Sequence, residues 1–351
     1  MVTDEPGSPS FRRFRRHSFD PAIRAQLRVL NNSKDNWHGL LALAQGLIVI
    51  TIAILLSLWS PYFYPLTLIL VGSRHRALGT LQHEASHFTL CRSRILTRTI
   101  GMLAGWSIFQ TLHAYRVSHV EAHHKYLGDE TRDPNLRAFV RQGLFEADTR
   151  NLIRDHFLPL VLGLKSWANF KNLVLERLMP RNWSALPPQA KLEYLGFIAF
   201  WAALIGVILW NGLILEFLVF WLIPYFTAFQ AVNWVIELAE HFPLVRLYDS
   251  ELYMTRNRQG PWIERVLFEI HGENWHLVHH LSPGTPFWKL PEAHRIMMGD
   301  PVYAKANTWA GGLVFRGPNG EASMASMLAE QLKQAQNLSV QNRSDVNAAG
   351  Q

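Results

Sequence analysis

Eight of the chain's sixteen histidines fall in three tight clusters: His83-Glu-Ala-Ser-His87, His119-Val-Glu-Ala-His123-His124 and His276-Leu-Val-His279-His280. Residues three or four apart on a helix share a face, with Cβ atoms about 5–6 Å apart. Each cluster is therefore expected to point its imidazoles at one spot. Neutral imidazole is the commonest ligand for Zn, Fe, Cu and Ni, so convergent imidazole on this scale argues for metal. The isolated histidines His17, His38 and His156 carry no such implication. Cys91 is the only cysteine, which excludes an intrachain disulfide and leaves almost nothing for thiolate ligation.

Three metal chemistries compete for these residues. The first cluster has the His-Glu-x-x-His spelling of a zinc protease, with Glu84 as the base. That reading leaves six clustered histidines without a task, and the chain contains no Asp-Gly for the Leu-Asp-Gly motif of intramembrane metalloproteases. A carboxylate-bridged di-iron bundle uses paired Glu-x-x-His motifs, which Glu84 to His87 and Glu273 to His276 match. The doubled histidines are surplus to it. A non-catalytic metal-handling protein or transporter is the third, but transporters place their ligands within the spans, whereas these clusters follow them.

The elements that must position the clusters are apolar. Hydrophobic residues make up 49% of the chain and charged ones only 17%, against about a quarter in ordinary soluble domains. Gly39 to Trp59 is an uncharged run, about 31 Å long as a helix and enough to span a bilayer. After the turn Ser60-Pro-Tyr-Phe-Tyr-Pro65 the chain returns through Leu66 to Gly72 and runs on into the first cluster. Arg74 and Arg76 there must snorkel or face protein. A second hairpin joins Leu192–Trp210 to Leu213–Trp234 at Asn211-Gly212. Both outer turns lack lysine and arginine, whereas Arg92, Arg94, Arg98, Lys165, Lys171, Arg177, Arg181 and Lys191 lie in the flanks. The asymmetry predicts cytoplasmic termini and cytoplasmic clusters.

Ile95 to Leu112 is also apolar, but a full crossing would put the first two clusters on opposite faces. It is expected to be a re-entrant or interfacial helix. Residues 150–190 read as amphipathic helix on the surface. The net charge is +7, and the densest basic run is Phe11-Arg-Arg-Phe-Arg-Arg-His17, which fits an anionic membrane surface; no nucleic-acid motif accompanies it. The first thirty residues contain no signal-peptide core. Three segments follow: a basic cytoplasmic tail over 1–36, a membrane-embedded catalytic region over 37–300, and a C-terminal segment over 301–351, disordered after about 325.

The pattern that employs every cluster is His-x3-His, His-x3-His-His and His-x2-His-His around two membrane hairpins. In this the chain resembles the integral-membrane fatty acid desaturase and hydroxylase superfamily over roughly residues 40–300. Further matching spellings are Leu127-Gly-Asp-Glu-Thr-Arg-Asp133-Pro and Asn274-Trp-His276-Leu-Val-His-His-Leu-Ser-Pro283, continuing to Leu290-Pro-Glu-Ala-His294. The resemblance implies an all-α membrane fold: four transmembrane helices in two hairpins, with a cytoplasmic helical cap holding two irons. It implies as ligands His83, His87, His119, His123, His124, His276, His279 and His280, with His241 as a ninth. Where some members carry an asparagine four residues before that histidine, this chain has Glu237; Asn233 lies one turn earlier. Glu237 is thus the candidate tenth group, and Glu240 the competing carboxylate.

The activity implied is O2-dependent oxidation of a fatty acyl or similar long alkyl chain, foremost desaturation. Close alternatives are fatty acid or alkane hydroxylation, carotenoid or sphingolipid oxygenation, and terminal-alkene-forming decarboxylation. Electrons must come from outside, because neither a His-Pro-Gly-Gly haem motif nor a Gly-x-Gly-x-x-Gly dinucleotide fingerprint is present. A ferredoxin, rubredoxin or cytochrome b5 with its reductase is implied. Trp106, Phe109, Trp201, Phe226 and Phe229 are candidates to line an acyl tunnel.

Overall fold

The computed structural model describes residues 14–174, 178, 182–307 and 310–349, and among these it is helical, with only two isolated β-bridges. Of the basic residues invoked above, Arg12, Arg13, Arg177 and Arg181 lie outside the described residues.

Helix α1 (Pro21–Asn31) starts where the Asp20 carboxylate accepts from the Ile23 amide at 2.9 Å, with proline at its first position. It buries Ile23, Leu27 and Leu30 beneath the third histidine cluster. Helix α2 (Trp37–Trp59) and helix α3 (Tyr64–Ser86) form the first hairpin. The buried face of α2 carries small residues at helical spacing, Gly39, Ala42, Gly46 and Ala53, with Ile50 and Ser57. Small residues let apolar helices approach closely. At Gly39 a Cβ would lie 2.7 Å from the Leu90 carbonyl oxygen. The hydroxyls of Ser57 and Thr67 bond each other at 2.7 Å, and Thr67 donates to the Ala53 carbonyl at 2.6 Å, so neither is left unpaired among hydrocarbon.

Among the described residues, three helical segments are long and apolar enough to cross a membrane: Trp37–Trp59, Pro188–Trp210 and Ile214–Leu247. Helix α3 is not among them, because its second half carries Arg74, His75, Arg76, Gln82 and Glu84. These polar groups face protein. Arg74 bonds Ser73 and the Val266 carbonyl, and Arg76 meets Glu273 at 2.5 Å and Asn233 at 2.6 Å.

The apolar stretch after the first cluster forms helix α4 (Arg94–Ser107), capped by Ser93. At 14 residues it is about 21 Å long, short of a bilayer core. Its Gly101 and Gly105 press on Ala85 and Gln82 of α3. Phe109 then takes φ +61° and the chain starts helix α5 (Leu112–Ser118). The Glu193 carboxylate, on helix α6 (Pro188–Trp210), accepts from the first amides of α5, Leu112 and His113. One carboxylate thereby fixes the entry to the second cluster.

The C-terminal expectation is corrected. Residues Met324–Ala349 form helix α7 instead of a disordered tail. Its polar composition masks a narrow apolar edge: Leu332 is fully buried and Ala335 nearly so, packed with Leu136, Phe139 and Phe242. Gln331 and the Met324 sulfur accept from the buried Arg256, and Gln336 donates to the carbonyls of Phe145 and Ala147. Leu332→Ala is expected to lower stability by about 2–4 kcal/mol, read as a lowered midpoint in thermal unfolding of the detergent-solubilised protein. An unchanged midpoint would mean α7 does not stabilise the fold.

Candidate metal centre

Nine histidines converge, and they do so as two groups. His83, His87, His119, His124 and His279 form one; His123, His241, His276 and His280 form the other. Within each group the ligand atoms lie within 4.8 Å of one another. The expectation that each cluster aims at a single spot is therefore corrected: both doubled histidines are divided between the groups. In the second cluster the cause is a π-turn over His119–His123, where the His124 amide bonds the His119 carbonyl at 2.9 Å. A π-turn brings residues five apart onto one face. His119 and His124 thus share a group, and His123 points into the other. In the third, on the short helix His276–Leu281, His276 and His280, one turn apart, fall in one group, while His279, about 100° round the helix from His280, falls in the other.

The nitrogens facing each other are Nε2 atoms. His83 to His279, His119 to His124 and His124 to His279 are each 3.0 Å apart; His241 stands 3.1 Å from His123 and 2.9 Å from His276, and His276 is 3.2 Å from His280. Metal–nitrogen bonds of about 2.0–2.1 Å set ligands at right angles about 3 Å apart. The spacing therefore fits two cations. His87 Nε2 is buried with no hydrogen-bond partner, which also fits a ligand position. Burial and the neighbouring imidazoles hold His119, His124, His276, His279 and His280 well below the ordinary histidine pKa. They are kept in the neutral form that coordinates.

The far ring nitrogens are tied down. His123 Nδ1 lies 2.9 Å from Asp133, His241 Nδ1 3.2 Å from the Met254 carbonyl, His276 Nδ1 3.3 Å from Glu240 and His83 Nδ1 3.2 Å from Glu84. Such partners orient the ring and fix which nitrogen carries the proton. Asp133 is itself held by the amides of Gly128 and Asn135, at 2.9 and 3.0 Å. Gly128 has φ +76°, and a Cβ there would lie 2.3 Å from the Met254 side chain. Glycine is required at that turn.

Sequence reading missed these supports. Asp133 sits in a spelling it noted without a role, while Glu193 and the Met254 carbonyl leave no sequence signal. Glu240, the competing carboxylate near the end of the helix Gln230–His241, reaches His276 of the third cluster. Glu237 belongs to neither nitrogen group: its carboxylate accepts from Asn233 Nδ2 at 3.0 Å, and Asn233 in turn accepts from Arg76. It lines the cavity beside His119 and His123. Glu84 is occupied by Thr89 at 2.7 Å, the Phe287 amide at 3.2 Å and His83. So engaged, it is not placed to activate water as a protease base.

The proposed tunnel aromatics pack on one another. Phe109 stacks on Trp201 at 4.4 Å and meets Tyr225 edge-on at 5.2 Å, and Tyr225 contacts Phe226 and Phe229 at 5.3 and 5.1 Å. The Trp201 indole donates to the Trp106 carbonyl at 3.0 Å and the Tyr225 hydroxyl to that of Ile108 at 3.2 Å.

An all-helical chain with membrane-length apolar segments and two converging histidine groups defines a class: membrane-suited proteins with a candidate dinuclear, histidine-held site. The chain belongs to the fatty acid desaturase family, whose sequence profile matches residues 57–311. It is 35% identical to a dihydrorhizobitoxine desaturase of Bradyrhizobium elkanii, over 96% of each chain. An omega-3 fatty acid desaturase, chloroplastic, of Glycine max is 23% identical over 78% of this chain and 62% of its own. An sn-1 acyl-lipid omega-3 desaturase (ferredoxin) of Synechocystis is 23% identical over 71% of each. The chain is thus an oxidoreductase by kinship, similar throughout to desaturases.

Proposed function

We propose that the protein is an O2-dependent desaturase whose nine histidines hold two irons, five nitrogens to one and four to the other. The convergence of Nε2 atoms at about 3 Å in two separate groups carries this reading. Iron bound there supplies the oxidising power, from dioxygen, to remove hydrogen from unactivated C–H bonds. The chain's own part is orientation: Asp133, Glu240, Glu84 and the Met254 carbonyl hold the rings, and Glu237 lines the space where substrate meets the centre, meeting a metal through water and not directly. Removal of two hydrogens gives an alkene; hydroxylation or decarboxylation at the same centre needs only a different placement of the chain. Electrons come from a ferredoxin, rubredoxin or cytochrome b5 type carrier with its reductase, in keeping with the ferredoxin in the name of the Synechocystis relative. The substrate carries an alkyl chain, fatty acyl in the acyl-lipid relatives and dihydrorhizobitoxine in the relative that matches end to end. Purified protein with ferredoxin and its reductase should consume O2 in step with alkene formation; alcohol as the main product would move the assignment to hydroxylase.

We place α3 as a fourth span, with the termini and the histidines in the cytoplasm. Cys91 does not serve to test this, because its thiol is buried and burial pushes its pKa up to about 11. Tyr62→Cys, in the exposed turn between α2 and α3, should react with an impermeant thiol reagent only from outside, and Lys305→Cys only from inside. The reverse pattern would invert the topology.

A further inference from the structure

The space beside the histidines has a mixed polar and apolar lining, and the space next to it is mainly polar. A cavity of about 70 Å³ is lined by His83, His119, His123, His276 and His279 together with Arg76 and Glu237. It adjoins a second of about 150 Å³, with which it shares Gln110, Asn135, Phe229 and Glu237. The second is lined further by Arg141, Asn169, Gln230 and Asn233. A separate apolar groove of about 390 Å³ runs between the spans, past Ile54, Leu58, Leu204 and Phe217, and shares no lining residue with either. The locked rings of Phe109, Trp201 and Tyr225 stand between them.

From this arrangement we infer that the carbons presented to the metal centre lie next to the polar, hydrogen-bonding end of the substrate, not in the middle of a long acyl chain. This rests on the desaturase reading above and narrows it. Methylenes in the second cavity would meet a mainly polar lining and bring no hydrogen bonds to its amide and guanidinium groups. A carboxylate or similar polar end restores those bonds, and the adjacent carbons then sit against the histidines. The overall reaction balances as one hydrogen atom removed from each of two adjacent carbons, with O2, two electrons from the carrier and two protons from solvent yielding two waters.

Three probes separate the possibilities, given to the iron-loaded protein in lipid nanodiscs with ferredoxin, its reductase and O2. They are octanoic acid, dodecanoic acid and dipalmitoyl phosphatidylcholine, each deuterated in turn near the carboxyl end and at mid-chain. Loss of deuterium from carbons 2–4 of either acid is expected, the shorter acid marking a compact substrate and the longer one a chain entering head first. Loss from mid-chain carbons overturns the inference and leaves the desaturase reading intact. Binding gives a readout independent of turnover: the acids should raise the unfolding midpoint, and Gln230→Leu or Asn135→Leu should weaken their binding about tenfold. Stabilisation by the phospholipid alone, or by neither acid, also overturns the inference. Binding of the acids without any iron-dependent oxidation would sink the desaturase reading and not this one.

Discussion

Replacing His124 with alanine should reduce bound iron from about two per chain to one or fewer and abolish O2-dependent turnover. His124 stands in the first group, its Nε2 3.0 Å from both His119 and His279, so its loss removes one of five converging nitrogens. The same result is expected for any of the nine. His294→Ala is the control: its Nδ1 bonds the Tyr303 hydroxyl at 2.8 Å and it belongs to neither group, so iron content should hold. Iron counted by plasma mass spectrometry, beside O2 uptake, decides it. Full iron and wild-type turnover in His124→Ala would refute the ligand assignment. Stoichiometric zinc with cleavage of a membrane peptide would revive the protease.

The second large effect belongs to groups that touch no metal. Asp133→Asn keeps the shape of the side chain but loses the charge that holds His123, and outer partners of this kind typically matter about 10–100-fold in metal affinity or activity. Glu240→Gln should act in the same range through His276. Glu240 and not Glu237 stands against a clustered imidazole, so we expect the opposite order to the one read from sequence, in which Glu237 outweighs Glu240. Glu237→Gln leaves every ring support in place, so it should keep iron and alter substrate turnover instead. Iron affinity by competitive chelation, with the iron spectrum, separates the two. If Glu237→Gln loses iron and Glu240→Gln does not, Glu237 is the tenth ligand after all.

The three clusters and the apolar runs between them are legible in the chain, because both signals are local. Histidine spacing follows the helical repeat, and a spanning helix is simply a long run without charge. Membership of the desaturase family follows from the same residues. The isolated His241 is locally indistinguishable from His38 or His294, so its place beside His123 and His276 is decided by packing. The same holds for the division of the nitrogens into five and four, which depends on a π-turn that identical residues in a regular helix would not make. Arg74, Arg76, Glu84 and Glu193 read as awkward charges in or near apolar helices; only tertiary contacts identify them as partners of buried carbonyls, amides and carboxylates. Composition suggested disorder for the last helix, since a narrow buried edge of Met324, Leu332 and Ala335 is invisible to an average over polar neighbours. Local periodicity determined which residues were available for chemistry. Which of them meet, and through which nitrogen, was decided by long-range packing and buried hydrogen bonds, some of whose partners lie about two hundred residues apart.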